Sequence, residues 1–240
     1  VRLTPASAPE AVSPTVADWD AFAARCADFG ASHLPELAAG LGLPGDALAR
    51  LRAGRASAVM LAEAMPGWRG GPAWTFPMAG ADGRTRGIRL RMHDGSKLSV
   101  RGGREGLFLP VGLPDRPALL VVTEGPTDAA AALSLGFAAV GRPSCSGGAE
   151  HVADLVRRVR PACVVIAADR DGPGVAGASA LADRLVPLVR EVRVITAPAP
   201  HKDLRDAFRA GLTPDALAAA IDAANPLRLT VSAAGKAVKP

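Results

Sequence analysis

Apolar residues recur at three- and four-residue spacing from Asp18 to about Met65. DWDAFAARCADFG, SHLPELAAGLG and PGDALARLRAG are predicted as helices broken by Gly and Pro, and ASAVMLAEAM continues the pattern. The period then changes. PAWTFPM, RTRGIRLRM, KLSVRG and GLFLP are short alternating segments separated by ADG and HDG turns, which predicts antiparallel strands. From about Pro117 the pattern becomes strand, helix, strand, helix. ALLVVTEG, FAAVGRPS, ACVVIAAD and EVRVITAP are the strands, and the uninterrupted apolar runs among them suit strands buried on both faces. PTDAAAALSLG, AEHVADLVRRVR, VAGASALADRLVPLVR, DLRDAFRAG and TPDALAAAIDAAN are the helices. Repeated βα units imply a mostly parallel sheet covered by helices.

Ligands of open α/β sheets bind beyond the carboxyl ends of the strands. Glu124 ends the first of these strands, Asp169 and Asp171 end the third, and the fourth leads to HKDLRD with Lys202, Asp203 and Asp206. Residues two apart in extended chain face one side, so Asp169 and Asp171 point together while Arg170 points away. Crowded carboxylates repel one another unless a cation sits between them. Mg²⁺ is the natural candidate, because it takes a few carboxylates, keeps several waters and bridges phosphate oxygens. The bland alternative, solvated turn residues and helix caps, is as strong as the functional one for Asp203 and Asp206 and weaker for Glu124, Asp169 and Asp171.

GPGVAG follows a strand and opens a helix, the context of a dinucleotide fingerprint. Asp169 and Asp171 would repel a pyrophosphate at that helix N-terminus, and VRVITAPAP ends without the expected ribose-binding acid. The glycines therefore read as turn chemistry beside a metal site, with Gly125, Gly172 and Gly174 in structural roles.

Composition narrows the class. The chain has 240 residues, 49% of them apolar and 21% charged, which describes a soluble globular protein long enough for one large domain or two modest ones. A net charge of +5 suits a polyanionic partner. Cys26, Cys145 and Cys163 form no CxxC pair and the four histidines form no HExxH pair, so neither zinc nor a disulfide framework is expected and a cytoplasmic setting is. No apolar run is long enough to span a membrane. The Pro/Ala/Ser-rich start, 1–17, reads as a linker cut from a longer protein, and 226–240 as an exit linker.

An apolar strand ending in Glu-Gly, followed by one ending in Asp-x-Asp-x-x-Gly, resembles the TOPRIM domain shared by primases, topoisomerases and some nucleases. The matching stretches are VVTEGPTDAAAAL and VVIAADRDGPG, and the resemblance covers roughly 117–208. TOPRIM topoisomerases cut DNA with a tyrosine, and this chain has none. WTFPMAGADGRTRGIRLR with KLSVRGGREGLFLP is similar to the small strand-rich subdomain preceding TOPRIM in bacterial and phage primases.

The resemblance implies an α/β fold: a Rossmann-like TOPRIM domain with a mostly parallel four-stranded sheet flanked by helices at 117–208. A smaller α+β primase-type subdomain at 18–112 precedes it, and a C-terminal helix at 209–225 follows. It implies a Mg²⁺- or Mn²⁺-dependent nucleotidyltransferase, a DNA primase-like core with DNA-directed RNA polymerase activity that makes short primers on single-stranded DNA. Glu124, Asp169 and Asp171 would be catalytic, and with Asp203 would hold the metal. Lys97, Arg89, Arg91, Arg101, Arg104 and Lys202 would contact template or nucleoside triphosphate; for Arg101 and Arg104 a solvated face is an equal reading. A replicative helicase and an upstream zinc-binding domain are implied as partners. A complete primase carries a zinc ribbon and this chain has none; nor has it a GxxxxGK[ST] helicase loop, or the second lysine expected near GLFLPVG. The alternatives are a metal-dependent nuclease and a catalytically weak DNA-binding module of a replication protein.

Overall fold

The computed structural model describes residues 18–229. The expected linker 1–17, and 230–240 of the expected exit linker, lie outside them. The described chain builds two four-stranded sheets, the first antiparallel in the order β1-β2-β3-β4 and the second parallel in the order β6-β5-β7-β8.

The N-terminal part runs α1 (Trp19–Gly30), α2 (Leu34–Leu41), α3 (Gly45–Arg50), β1 (Gly54–Ala56), α4 (Ala58–Ala64), β2 (Ala73–Ala79), β3 (Thr85–Arg91) and β4 (Lys97–Ser99). Asp18 caps α1 by accepting from the Asp20 and Ala21 amides, both at 3.0 Å. Phe22, Ala23 and Cys26 then recur on the buried face, packed with Ile88 and Leu90 of β3. The helical pattern read from Asp18 to Met65 is interrupted by β1, which the sequence does not announce. Three residues are too few to display a strand period. The close contact of α1 with β1 also depends on glycines: a Cβ on Gly30 or Gly54 would run into the backbone of the other element.

The second part runs β5 (Leu119–Glu124), α5 (Pro126–Ser134), β6 (Ala139–Arg142), α6 (Ala149–Val159), β7 (Cys163–Ala168), α7 (Gly172–Leu185), β8 (Glu191–Thr196), α8 (Leu204–Arg209) and α9 (Pro214–Ala223). All strand pairs in this sheet are parallel. Alternation decides the layers. Val121, Val165 and Ala167 face α5, α8 and α9, while Leu120, Val122, Val164 and Ile166 face α6 and α7. Both faces are thus covered, as the continuous apolar runs require.

The first of these cores also takes in Leu37, Leu41 and Leu48 from α2 and α3, and Phe76 and Met78 from β2. The two parts therefore share one hydrophobic interior. GLFLP, expected as a strand, forms only two isolated bridges: Leu107 pairs with Ala79 of the antiparallel sheet, and Phe108 with Gly141 of the parallel one. Each of its two residues joins a different sheet, so no run of pairs accumulates. At the far end Leu227, in the expected exit linker, bridges Val192 of β8.

Candidate active site

The carboxyl edge of the parallel sheet gathers the acids. Glu124 is the last residue of β5, and Gly125 follows with φ +91°, a left-handed turn that no branched side chain takes without strain. Pro126 then opens α5. Beyond β7, Asp169 stands free of capping duty, whereas Asp171 caps α7 through its Oδ1, which accepts from the Gly174 amide at 2.8 Å. Gly174 is buried, and a Cβ there would lie 2.6 Å from the Asp169 carbonyl oxygen, so the turn has room for glycine alone. Gly172 begins α7 and has open space around it. Asp203 caps α8 in the same manner as Asp171 caps α7, its Oδ1 accepting from the Asp206 amide at 2.7 Å.

Lys202 binds this group together. Its Nζ lies 3.8 Å from Asp169 Oδ2 and 3.5 Å from Asp171 Oδ2. Both aspartates thus face one point, and Arg170 turns away to donate to the Ala197 carbonyl. The Lys202 side chain is 62% exposed, so this ammonium is a surface counter-ion that another cation is free to displace. Its neighbours Asp169 and Asp171 raise its pKa.

The electrostatics record the crowding. Burial, then the charges of Glu124 and Asp203, push Asp169 up to about 6, against the pull of Lys202. Asp128, in the first turn of α5, is 6% exposed and is raised further, to about 7, by burial and by Asp203 and Asp169. Its Oδ1 accepts from the Arg205 amide at 3.0 Å, tying α5 to α8. Sequence reading passed over Asp128 although it lies in the quoted EGPTD. An acid in the first turn of a helix is ordinary in sequence, and only its burial against α8 sets Asp128 apart.

Hard oxygen donors raised by mutual repulsion fit a divalent cation, and the Lys202 ammonium between Asp169 and Asp171 marks where positive charge is wanted. Among the described residues no group of three or more His, Cys, Asp or Glu side chains is arranged so as to hold a metal ion. Mg²⁺ does not require one, since it keeps several waters and takes one or two carboxylates.

The basic candidates divide. Register places Trp74, Arg91 and Lys97 side by side across β2, β3 and β4, and Arg89 beside Phe76 and Ser99 on the same face. Arg91 is partly desolvated, and burial with the nearby charge of Arg205 lowers its pKa. Arg205 in turn binds Asp128 through its amide, which links this face to the acids. A hollow of about 660 Å³ opens beside Trp74, walled by Met92, His93 and Leu98, with the Arg55 guanidinium 5.0 Å above the indole. Arg101 and Arg104 are exposed beyond β4, and Arg101 lines a small recess with Met65 and Trp68. Trp68 and Met65 pack on the core of the other sheet face. Nothing in the geometry draws Arg101 or Arg104 toward the acids.

No protein-family model matches the chain, and no curated protein is similar to it in sequence. Solved structures are similar in shape. The Escherichia coli primase catalytic core superimposes with a TM-score of 0.65 at 20% identity, covering 87% of this chain and 79% of that one. The RNA polymerase domain of Mycobacterium tuberculosis primase DnaG gives 0.61 at 20%, covering 87% and 84%. A DnaG primase catalytic domain bound to single-stranded DNA gives 0.65 at 19%, covering 87% and 79%. The chain has the fold of the DnaG primase catalytic cores: a parallel α/β sheet preceded by a smaller strand-rich part.

Proposed function

We propose that this chain is the catalytic core of a DNA primase, joining nucleotides into short primers on single-stranded DNA. The observation that carries the reading is the convergence of Glu124, Asp169, Asp171 and Asp203 on one edge of the parallel sheet, with Lys202 as their exposed counter-ion. Glu124, Asp169, Asp171 and Asp203 would hold Mg²⁺ or Mn²⁺, which when bound neutralises phosphate charge and lowers the pKa of a bound hydroxyl. The protein's own groups do the rest. Lys202 leaves the Asp169–Asp171 pair and pairs with a triphosphate oxygen of the incoming nucleotide. Glu124 serves as a ligand in this reading; the alternative role for it is general base toward the primer hydroxyl. Template lies along the face bearing Arg89, Arg91 and Lys97, and its bases meet the apolar hollow beside Trp74. The fold-level likeness to a primase domain bound to single-stranded DNA supports this path.

The test is incubation with single-stranded DNA, labelled ribonucleotides and Mg²⁺ or Mn²⁺, alongside the Asp169→Ala/Asp171→Ala variant. New short oligonucleotides that vanish in the variant are expected. Shortened template would instead mean a nuclease, and DNA binding unaffected by the variant, with no product from either protein, would remove the catalytic reading altogether.

A further inference from the structure

The last residue of β6 belongs to none of the chemistry above. Arg142 is 2% exposed, an extreme position for a side chain that keeps its charge. Strand register sets it directly beside Glu124. Its Nη2 stands 3.4 Å from Glu124 Oε1, and its Nη1 donates to the Gly177 carbonyl of α7 at 3.3 Å. Among the described residues its Nε has no partner. Burying a guanidinium at this depth is costly unless a carboxylate answers it, and Glu124, with its side chain 11% exposed, is the one in contact.

The third glycine of GPGVAG belongs to the same device. A Cβ on Gly177 would collide with the Cys145 carbonyl oxygen and lie 3.3 Å from Arg142 Nη2. Gly177 therefore lets the segment after β6 lie against α7, and its carbonyl receives the second arm of the guanidinium. The other acids show what this does for Glu124. Asp171, Asp203 and Asp128 each commit Oδ1 to a backbone amide, and the Oδ2 of Asp171 is left to face Lys202. Glu124 has no amide for its Oε1, and Arg142 fills that place from inside the protein.

We propose that Arg142 is a positioning residue that clamps one oxygen of Glu124 from behind, so that Glu124 offers a single oxygen to the divalent cation. The assignment rests on the primase-like metal site proposed above and specifies how it is built. The two cations of the site then have different duties. Lys202 is exposed and displaceable, whereas Arg142 is enclosed and remains. A carboxylate held by one oxygen suits a small ion that keeps its water, and a carboxylate released to chelate suits a larger ion with more oxygen ligands.

The sign of the effect separates this role from a merely structural one. Removing Arg142 takes away a positive charge near the cation and frees the second Glu124 oxygen, so divalent binding tightens. Loss of a structural prop would weaken it. The experiment is titration of the whole chain with Mn²⁺ and with Ca²⁺ at pH 8, by calorimetry, comparing wild type, Arg142→Met and Arg142→Lys. Arg142→Met is expected to bind Mn²⁺ about tenfold more tightly and to gain more for Ca²⁺, while Arg142→Lys, which keeps the charge, stays within about twofold of wild type. Should Arg142→Met fail to fold, Arg142→Gln removes the charge but keeps an amide donor, and the same tightening is expected. Weaker or unchanged Mn²⁺ binding in a folded, charge-removing variant overturns the proposal, as does a wild type that binds no Mn²⁺. Primer synthesis is followed on the same samples. Wild type that binds Mn²⁺ with the expected variant pattern but makes no primer would remove the primase reading and leave the Arg142 clamp standing.

Discussion

The two sheets have the same number of strands and put charge to opposite uses. In the parallel sheet every strand points the same way, so the carboxyl ends coincide, and Glu124, Arg142 and Asp169 fall on one edge. Both faces of its central strands are buried, so apart from the Glu191–Arg193 pair on the outer strand β8 its ionised groups gather at that edge. In the antiparallel sheet neighbouring strands run opposite ways and their ends do not coincide. Charge appears instead across a face, where Arg89, Arg91 and Lys97 alternate with Ile88, Leu90 and Leu98 on adjacent strands. One sheet gathers charge at a point and the other spreads it along a track. That division matches chemistry at one locus and a polyanion held over several residues.

The contrast is broken most severely at the point. Asp169→Ala/Asp171→Ala is expected to lower primer synthesis on the order of a thousandfold or more while leaving single-stranded DNA binding within a few-fold. A filter-binding assay beside the synthesis assay separates the two. Next comes the track: Arg89→Ala/Arg91→Ala should weaken single-stranded DNA binding about tenfold and reduce the slope of log affinity against log salt by roughly one per arginine. An unchanged slope would mean that these arginines serve the fold alone. A smaller effect is expected from Trp74→Ala, about fivefold in binding (roughly 1 kcal/mol) with the salt slope intact, because stacking carries no counter-ion release. Fluorescence anisotropy at several salt concentrations reads both.

The last effect is on stability rather than on binding, in the metal-free state. Asp128 and Asp169 have folded-state pKa values raised to about 7 and about 6, so the folded chain holds protons that the unfolded chain has already released. Stability is therefore lost as pH rises from about 4 through about 7. Asp128→Asn should flatten that decline by on the order of 2 kcal/mol, since the two acids share their protons with neighbours and the full shift is not realised by one residue. Thermal melts in chelator at pH 5 and pH 8 measure it. A wild-type protein equally stable at both would contradict the crowding described here.

The parallel sheet was legible in the sequence because strands buried on both faces appear as unbroken apolar runs, and the acids at their ends interrupt those runs visibly. The antiparallel strands were legible from their alternation and turns. β1 was not, since Gly54–Ala56 owes its place to contact with α1 and the second strand rather than to any local period. Asp128 escaped notice because an acid in the first turn of a helix is ordinary; its burial comes from α8, which lies 77 residues away in the chain. Arg142 escaped for a similar reason. An arginine after FAAVG looks like a strand leaving the core for water, and only pairing with Glu124 and the approach of α7 enclose it. Side chains that carry chemistry by themselves could be read one at a time, but those whose surroundings are assembled from distant segments could not.

The two bridges made by Leu107 and Phe108 have a mechanical consequence. Consecutive residues are hydrogen-bonded to different sheets, so relative sliding of the sheets would break backbone pairs on one side or the other. The spacing between the basic track and the acidic edge is thereby set by a covalent unit one residue long, and a strand bound on the track as proposed would reach the edge at a constant offset. GLFLP works as a gauge block between the two halves.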